Sequence, residues 1–149
     1  RSTDLRQYRD GFADAMKRQI ETGRKHGTVP VLFMSWAYLD KPEMTAALAE
    51  AYTKVGNDNN ALVIPAGLAF ANALKQKPDL ALHIEDKRHP TMAGSYLAAA
   101  TTYAALFKRS PVGLKYTAGL DAETARMLQT VAWETTQAYY GATTAAAAK

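Results

Sequence analysis

Apolar positions along the first part of the chain recur at helical spacing. Between Asp4 and about Lys25 they fall at steps of three and four, and Gly27 follows as a stop signal. The apolar positions that define this stripe are Tyr8, Phe12, Ala15, Met16 and Ile20. The pattern predicts an amphipathic helix.

The periodicity then changes to that of buried strands separated by helices. Val29 to Met34 is an almost unbroken apolar run rich in β-formers, and Leu62 to Ile64 is a second, shorter run. A helix beginning near Asp40 and Pro42 is predicted between the two runs, and AGLAFANALKQ after the second run predicts another helix. We therefore expect two neighbouring parallel strands in an α/β domain, with ligand-binding residues at their carboxyl ends.

The count of strands is low for such a domain. A parallel sheet covered on both faces usually has about five or six strands, and the chain offers these two plus a weaker candidate at Leu80 to Ile84. After His89 the pattern is helical twice more, and Asp121 suits the N-cap of the last helix. We interpret residues 1–141 as the carboxyl-terminal part of one domain and residues 142–149 as a low-complexity tail.

Composition narrows the function classes. The 149 residues are 48% hydrophobic and 21% charged, which is typical of a soluble globular domain, and no stretch predicts a membrane span. The net charge of +4 comes from scattered basic residues without a stripe, so we do not expect nucleic acid as a partner. Because no stretch predicts a membrane span, we expect no membrane partner either. The absence of cysteine excludes disulfides, thiolate metal sites and a cysteine nucleophile, and leaves the compartment open.

Asp86 and His89, in the segment EDKRHP, form the main candidate for chemistry. Three residues apart in a turn, a carboxylate can accept the Nδ1 proton of an imidazole, which leaves Nε2 free as a general base. A surface ion pair explains the same spacing. A metal site is a further alternative, since His83, Asp86 and His89 are equally spaced and all are ordinary ligands.

The residues around this pair resemble a known family. DKRHPTMAGSYLAAATTYAALFKRSPVG resembles the carboxyl-terminal block of the SGNH hydrolase superfamily, the GDSL-like esterases, in which Asp-x-x-His-Pro precedes a short helix. VPVLFMSWAY and LVIPAGLAFANAL resemble earlier strands of these enzymes, so the likeness covers roughly Gly11 to Gly113. It implies a flavodoxin-like three-layer αβα fold with a parallel sheet.

The resemblance also implies an activity. It makes Asp86 and His89 the acid and base of a serine esterase triad, acting on a small acyl ester such as an acetylated carbohydrate without metal or cofactor. Trp36 would then be a substrate-binding residue at the end of its strand. Packing at the sheet edge is the alternative for Trp36, and it is the favoured one for Tyr38.

The chain departs from the family pattern at the nucleophile. The Gly-Asp-Ser block is absent, as are the glycine and asparagine that complete the oxyanion hole. Of the serines, Ser35 alone follows a predicted strand. We therefore expect the nucleophile to lie outside this chain. The partner of the chain would then be a missing amino-terminal segment or a second copy. The alternative is a non-catalytic binding or structural module derived from such a hydrolase.

Overall fold

Two short strands pair in parallel near the middle of the fold. In the computed structural model, which describes the backbone of residues 5–147 and the side chains of residues 11–141, Val31 lies opposite Leu62 and Phe33 opposite Ile64. The elements within this range are α1 (Leu5–Lys25), β1 (Val31–Phe33), α2 (Met44–Asp58), β2 (Leu62–Ile64), α3 (Ala66–Gln76), α4 (Met92–Phe107) and α5 (Ala122–Ala147). The predicted α/β class and the parallel pairing are confirmed, although β1 is shorter than the apolar run that predicted it.

Helices cover both faces of this small sheet. Leu32 and Val63 belong to an apolar cluster with Ile20 of α1 and Val55 of α2. Ile64 belongs to a second cluster, built from α3, α4 and α5, whose fully buried side chains include Phe70, Leu97 and Leu128. Because successive residues of a strand point to opposite faces, the two clusters lie on opposite sides of the sheet.

The two edges of the sheet differ. The Met34 amide donates to the Ile64 carbonyl at 3.0 Å, so the backbone groups of Val63 point away from β1. The Val63 carbonyl accepts a hydrogen bond from the Tyr140 hydroxyl of α5 at 2.9 Å. Burial raises the pKa of Tyr140 to about 12, so the hydroxyl keeps the proton that it donates. α5 therefore covers the β2 edge.

The β1 edge has no partner strand within the described residues, and the side chains beside it are exposed. Val29 is 86% exposed, and Val31 and Phe33 on the strand itself are also exposed. Leu32, between them, is buried. One edge of the sheet is thus open, and the face of β1 that carries Val31 and Phe33 is only partly covered.

Two predicted elements are wrong in detail. Leu80 to Ile84 is not a strand, because its backbone pairs with its own downstream loop through an antiparallel bridge between His83 and Pro90. The second helix begins at Met44 and not at Asp40 or Pro42, because turns occupy the intervening residues.

α2 also continues past Gly56, the predicted stop, to Asp58, whereas two other helix limits are as predicted. α3 matches AGLAFANALKQ, and Asp121 caps α5 by accepting from the Thr124 amide at 2.9 Å. α5 continues to Ala147, so the backbone of most of the tail at 142–149 is helical, whereas its side chains, like Asp4, lie outside the described residues. No helix in the described range is long and apolar enough to cross a bilayer.

Candidate active site

Backbone hydrogen bonds close the loop that carries Asp86 and His89. The Ile84 amide donates to the His89 carbonyl at 2.9 Å, and the Lys87 amide donates to the Ile84 carbonyl at the same distance. Lys87 adopts a left-handed backbone conformation with φ of 63° at the tip of the turn. Thr91 then caps α4 by accepting from the Gly94 amide at 3.2 Å. The loop is therefore fixed between the sheet and a helix start.

Asp86 binds the loop backbone and the imidazole at the same time. Its Oδ1 accepts hydrogen bonds from the backbone amides of Arg88 and His89, both at 2.9 Å, and its Oδ2 contacts His89 Nδ1. The bond from the His89 side chain, followed by the two amide bonds, holds the pKa of Asp86 well below its usual range. The carboxylate is thus ionised at neutral pH.

This pairing sets the chemical state of His89. An ionised carboxylate accepts hydrogen bonds but cannot donate them, so Nδ1 carries the proton and Nε2 of the neutral ring is an acceptor. The His89 side chain is 75% exposed and that of Asp86 41% exposed. The structure thus presents a carboxylate-oriented imidazole to solvent, the arrangement that the spacing predicted.

Trp36 holds this loop against the end of β1. Its indole N–H donates to the Arg88 carbonyl at 2.9 Å, and its ring stacks on Phe70 with centroids 4.3 Å apart and planes 6° apart. The Leu39 amide donates to the Lys87 carbonyl at 2.9 Å, which adds a second connection. Trp36 lies beside the loop as predicted, but its N–H is already bonded within the protein, so it is unavailable to a substrate in this arrangement.

Contacts around the loop include a pair that the sequence did not predict. The Arg88 guanidinium lies 4.9 Å from the centre of the Tyr38 ring, a cation–π contact. Lys87 Nζ lies 3.8 Å from the Asp40 carboxylate on the same side. Tyr38 and Arg88 are far apart in the sequence, so no periodic pattern predicts their contact. The only sequence signal for Arg88 was its position directly before His89.

Two glycines let the helices approach these segments closely. A Cβ on Gly67, in α3, would lie 2.2 Å from the Ser35 carbonyl oxygen, and one on Gly94, in α4, would lie 2.3 Å from the Leu82 carbonyl oxygen. Both distances are far below any real contact. The sequence signal for this close packing was a glycine in the first turn of a helix, where that helix follows an apolar segment.

His83 lies apart from the other two residues of the metal alternative. Its ring is buried, and Nε2 is 3.1 Å from the Ala37 carbonyl oxygen, whereas Nδ1 has no hydrogen-bond partner. Asp86 and His89 face solvent instead. In the described part of the chain, no three histidine, aspartate or glutamate side chains converge as a metal site. The equally spaced set His83, Asp86 and His89 therefore does not converge on one point.

Within residues 11–141, no hydrogen bond joins a serine hydroxyl to the His89 imidazole. The side chain of His89 is hydrogen-bonded to Asp86 there, and Ser110 instead accepts from the Val112 amide at 3.2 Å. Ser35 follows β1 and is partly buried, with its carbonyl packed against Gly67. Ser2 lies outside the described residues. The Asp86 carboxylate and the His89 imidazole are thus paired here without a serine hydroxyl bonded to the ring.

No family model and no curated protein matches this sequence. Among solved structures, the chain is similar to a DUF4886 family protein from Bacteroides uniformis, with a TM-score of 0.70 and 24% sequence identity. The match covers 83% of this chain and 56% of that chain, so this chain spans little more than half the length of the bacterial protein. At this identity the likeness is one of fold, and the mixed α/β architecture described above is shared with that DUF4886 family protein.

Proposed function

We propose that this chain is the carboxyl-terminal part of an SGNH-type ester hydrolase, in which Asp86 and His89 are the acid and base of the catalytic triad. The observation that carries the proposal is the bonding of Asp86, which holds Nδ1 of His89 with one oxygen and the loop backbone with the other. That bonding leaves Nε2 as an exposed acceptor, which is what a general base requires.

The reaction follows from this protonation state. Nε2 of His89 takes the proton of a serine hydroxyl as the serine oxygen bonds to the ester carbonyl carbon. The resulting imidazolium, stabilised by the Asp86 carboxylate, gives the proton to the leaving alcohol as the ester C–O bond breaks. Water then cleaves the acyl-enzyme by the same route, with His89 again as base. The substrate class is a small acyl ester, for example of an acetylated carbohydrate, and no cofactor takes part.

The nucleophile and the rest of the fold come, in this proposal, from a polypeptide segment outside the chain. The complete domain is a flavodoxin-like three-layer αβα fold, to which this chain contributes two strands and helices on both faces of the sheet. The open β1 edge supports that inference, since further parallel strands can extend the sheet only there. The size of the similar DUF4886 family protein is consistent with it.

A fluorophosphonate probe tests the proposal directly, because it labels only an activated serine. We expect the longest natural polypeptide that contains this chain to be labelled and to hydrolyse a short-chain chromogenic ester. His89→Ala should abolish both labelling and hydrolysis, because the nucleophile loses its base. The matched control is His26→Ala, another exposed histidine, which should retain both.

Peptide mapping of the labelled protein identifies the nucleophile. A label on a serine outside this chain agrees with the proposal, and a label on Ser35 would replace the external nucleophile with an internal one. A folded protein with neither label nor hydrolysis would contradict the enzyme proposal and favour a non-catalytic binding module. Hydrolysis that survives His89→Ala would contradict the assigned base.

A further inference from the structure

Residues 106–116 combine exposed apolar side chains with cations. The segment reads LFKRSPVGLKY, so its charged residues are Lys108, Arg109 and Lys115, with no acid. Phe107 is 63% and Tyr116 78% exposed, and Leu106, Val112 and Leu114 are exposed as well. We call residues 106–116 the basic-apolar loop.

Buried polar groups fix the backbone of this loop. Gln129 of α5 is buried, accepts from the Gly113 amide at 2.9 Å, and donates to the Leu114 carbonyl at 3.1 Å. It also donates to the Tyr96 hydroxyl at 2.7 Å, which in turn donates to the Tyr116 carbonyl at 2.9 Å. The backbone is thus held in place while the apolar side chains face outward, an arrangement that is preorganised for binding.

The loop lies away from both the candidate site and the open edge of the sheet. α4 begins just after the His89 loop and ends at Phe107, and its 16 residues span about 24 Å. The loop is attached to α5, the helix that covers the β2 edge, whereas the open edge belongs to β1. A strand added to β1 would therefore extend the sheet on the opposite side and leave the loop uncovered.

We propose that the basic-apolar loop docks on a bilayer surface that contains anionic lipids. The three cations without an acid complement the phosphate charge of such a surface. Phe107, Leu114 and Tyr116 project outward and need no matching cavity, because an acyl chain boundary accepts apolar side chains of any arrangement. Docking of this kind goes beyond the proposed hydrolysis and needs no membrane-spanning helix.

Co-sedimentation with vesicles tests the proposal. We expect the protein to bind vesicles of phosphatidylcholine mixed with phosphatidylglycerol and to stay in the supernatant with phosphatidylcholine alone. Replacing Lys108 and Arg109 by glutamine should weaken binding about 30-fold, since each cation near an anionic surface contributes about fivefold. The matched control replaces Lys17 and Arg18 of α1, two exposed cations next to each other in the sequence, by glutamine. This change should leave binding unchanged.

A second variant separates insertion from charge attraction. Replacing Phe107 and Tyr116 by serine should weaken binding to the anionic vesicles at high salt, where screening leaves the apolar contribution dominant. Absence of binding to anionic vesicles would overturn the proposal, as would equal losses in the Lys17 and Arg18 control. Binding to an acidic peptide such as polyglutamate that exceeds binding to the vesicles would also overturn it, in favour of a protein partner.

Discussion

Asp86 uses its two oxygens for different tasks, and each can be tested by one substitution. In Asp86→Asn the remaining oxygen can still accept the backbone amides, but an amide group facing Nδ1 favours the wrong imidazole tautomer. In the complete hydrolase that we propose, we expect an intact fold and a fall in turnover on the order of 10³ to 10⁴. Ester kinetics measure the loss, and long-range ¹H–¹⁵N spectra measure the tautomer of His89. Unchanged turnover together with a changed tautomer would show that the orientation of His89 by Asp86 does not contribute to catalysis.

The depressed pKa of Asp86 also predicts a pH dependence of stability. Because the carboxylate titrates lower in the folded than in the unfolded chain, its stabilisation is fully present above its usual value of 3.8 and is lost as the pH falls below that value. Urea unfolding should therefore show the wild type more stable than Asp86→Asn at pH 6, with a difference that shrinks below about pH 4. A difference that stays constant down to pH 2 would contradict this assignment.

Trp36 acts on the site through the loop. A substitution can remove its hydrogen bond to the loop and still keep an aromatic ring at this position. Trp36→Phe keeps an aromatic ring beside Phe70 but loses the donor to the Arg88 carbonyl. We expect faster amide hydrogen exchange across the His89 loop. In the complete hydrolase that we propose, turnover should be lower by about tenfold, the value of one hydrogen bond. Trp133→Phe in α5 is the matched control and should change neither measurement. Unaltered exchange in Trp36→Phe would show that the hydrogen bond does not hold the loop.

At the scale of elements, the sequence predicted those features that depend on bonds between neighbouring residues. The limits of α3 and the Asp121 cap of α5 depend on residues next to each other in the sequence, and both agree with prediction. The state of Leu80 to Ile84 depends instead on the bridge from His83 to Pro90, which lies across a loop. Such pairings leave no periodicity in the sequence.

Close helix packing gives an element-scale prediction for two glycines. Gly67→Ala and Gly94→Ala place a methyl group against a backbone carbonyl that cannot rotate away, so each should reduce the free energy of unfolding by about 1–3 kcal/mol. Gly11→Ala, in a helix with open space around the new methyl, should instead be neutral or raise it by up to about 1 kcal/mol. Chemical denaturation measures all three, and equal effects at the three sites would contradict the packing argument.

For the whole molecule, bonds between sequence neighbours were easier to predict than contacts between distant segments. The spacing predicted that the Asp86 carboxylate reaches the His89 imidazole, and the structure shows this bond, because it is local. The hydrogen bond from Trp36 to the Arg88 carbonyl was not predicted, because the two residues are 52 positions apart in the sequence. The exposure of the basic-apolar loop could not be predicted either, since it depends on how Gln129 of α5 holds a loop from the preceding helix.

The open β1 edge predicts that the isolated chain self-associates. Unpaired strand edges with apolar side chains are templates for pairing with another chain, and we expect a concentration-dependent increase in sedimenting mass above 16.2 kDa. Val31→Lys should suppress it by placing a charge beside the edge. Val112→Lys is the matched control, because both valines are 38% exposed. A wild-type monomer with a cooperative thermal transition would contradict the prediction.

The hydrogen bond from Tyr140 to Val63 limits how far such pairing can go. A sheet with two free edges can add copies at both sides and grow into a fibre, whereas a sheet with one free edge is saturated when two copies meet around a twofold axis. One phenol hydroxyl on α5 thus helps to separate a finite dimer from an open-ended polymer.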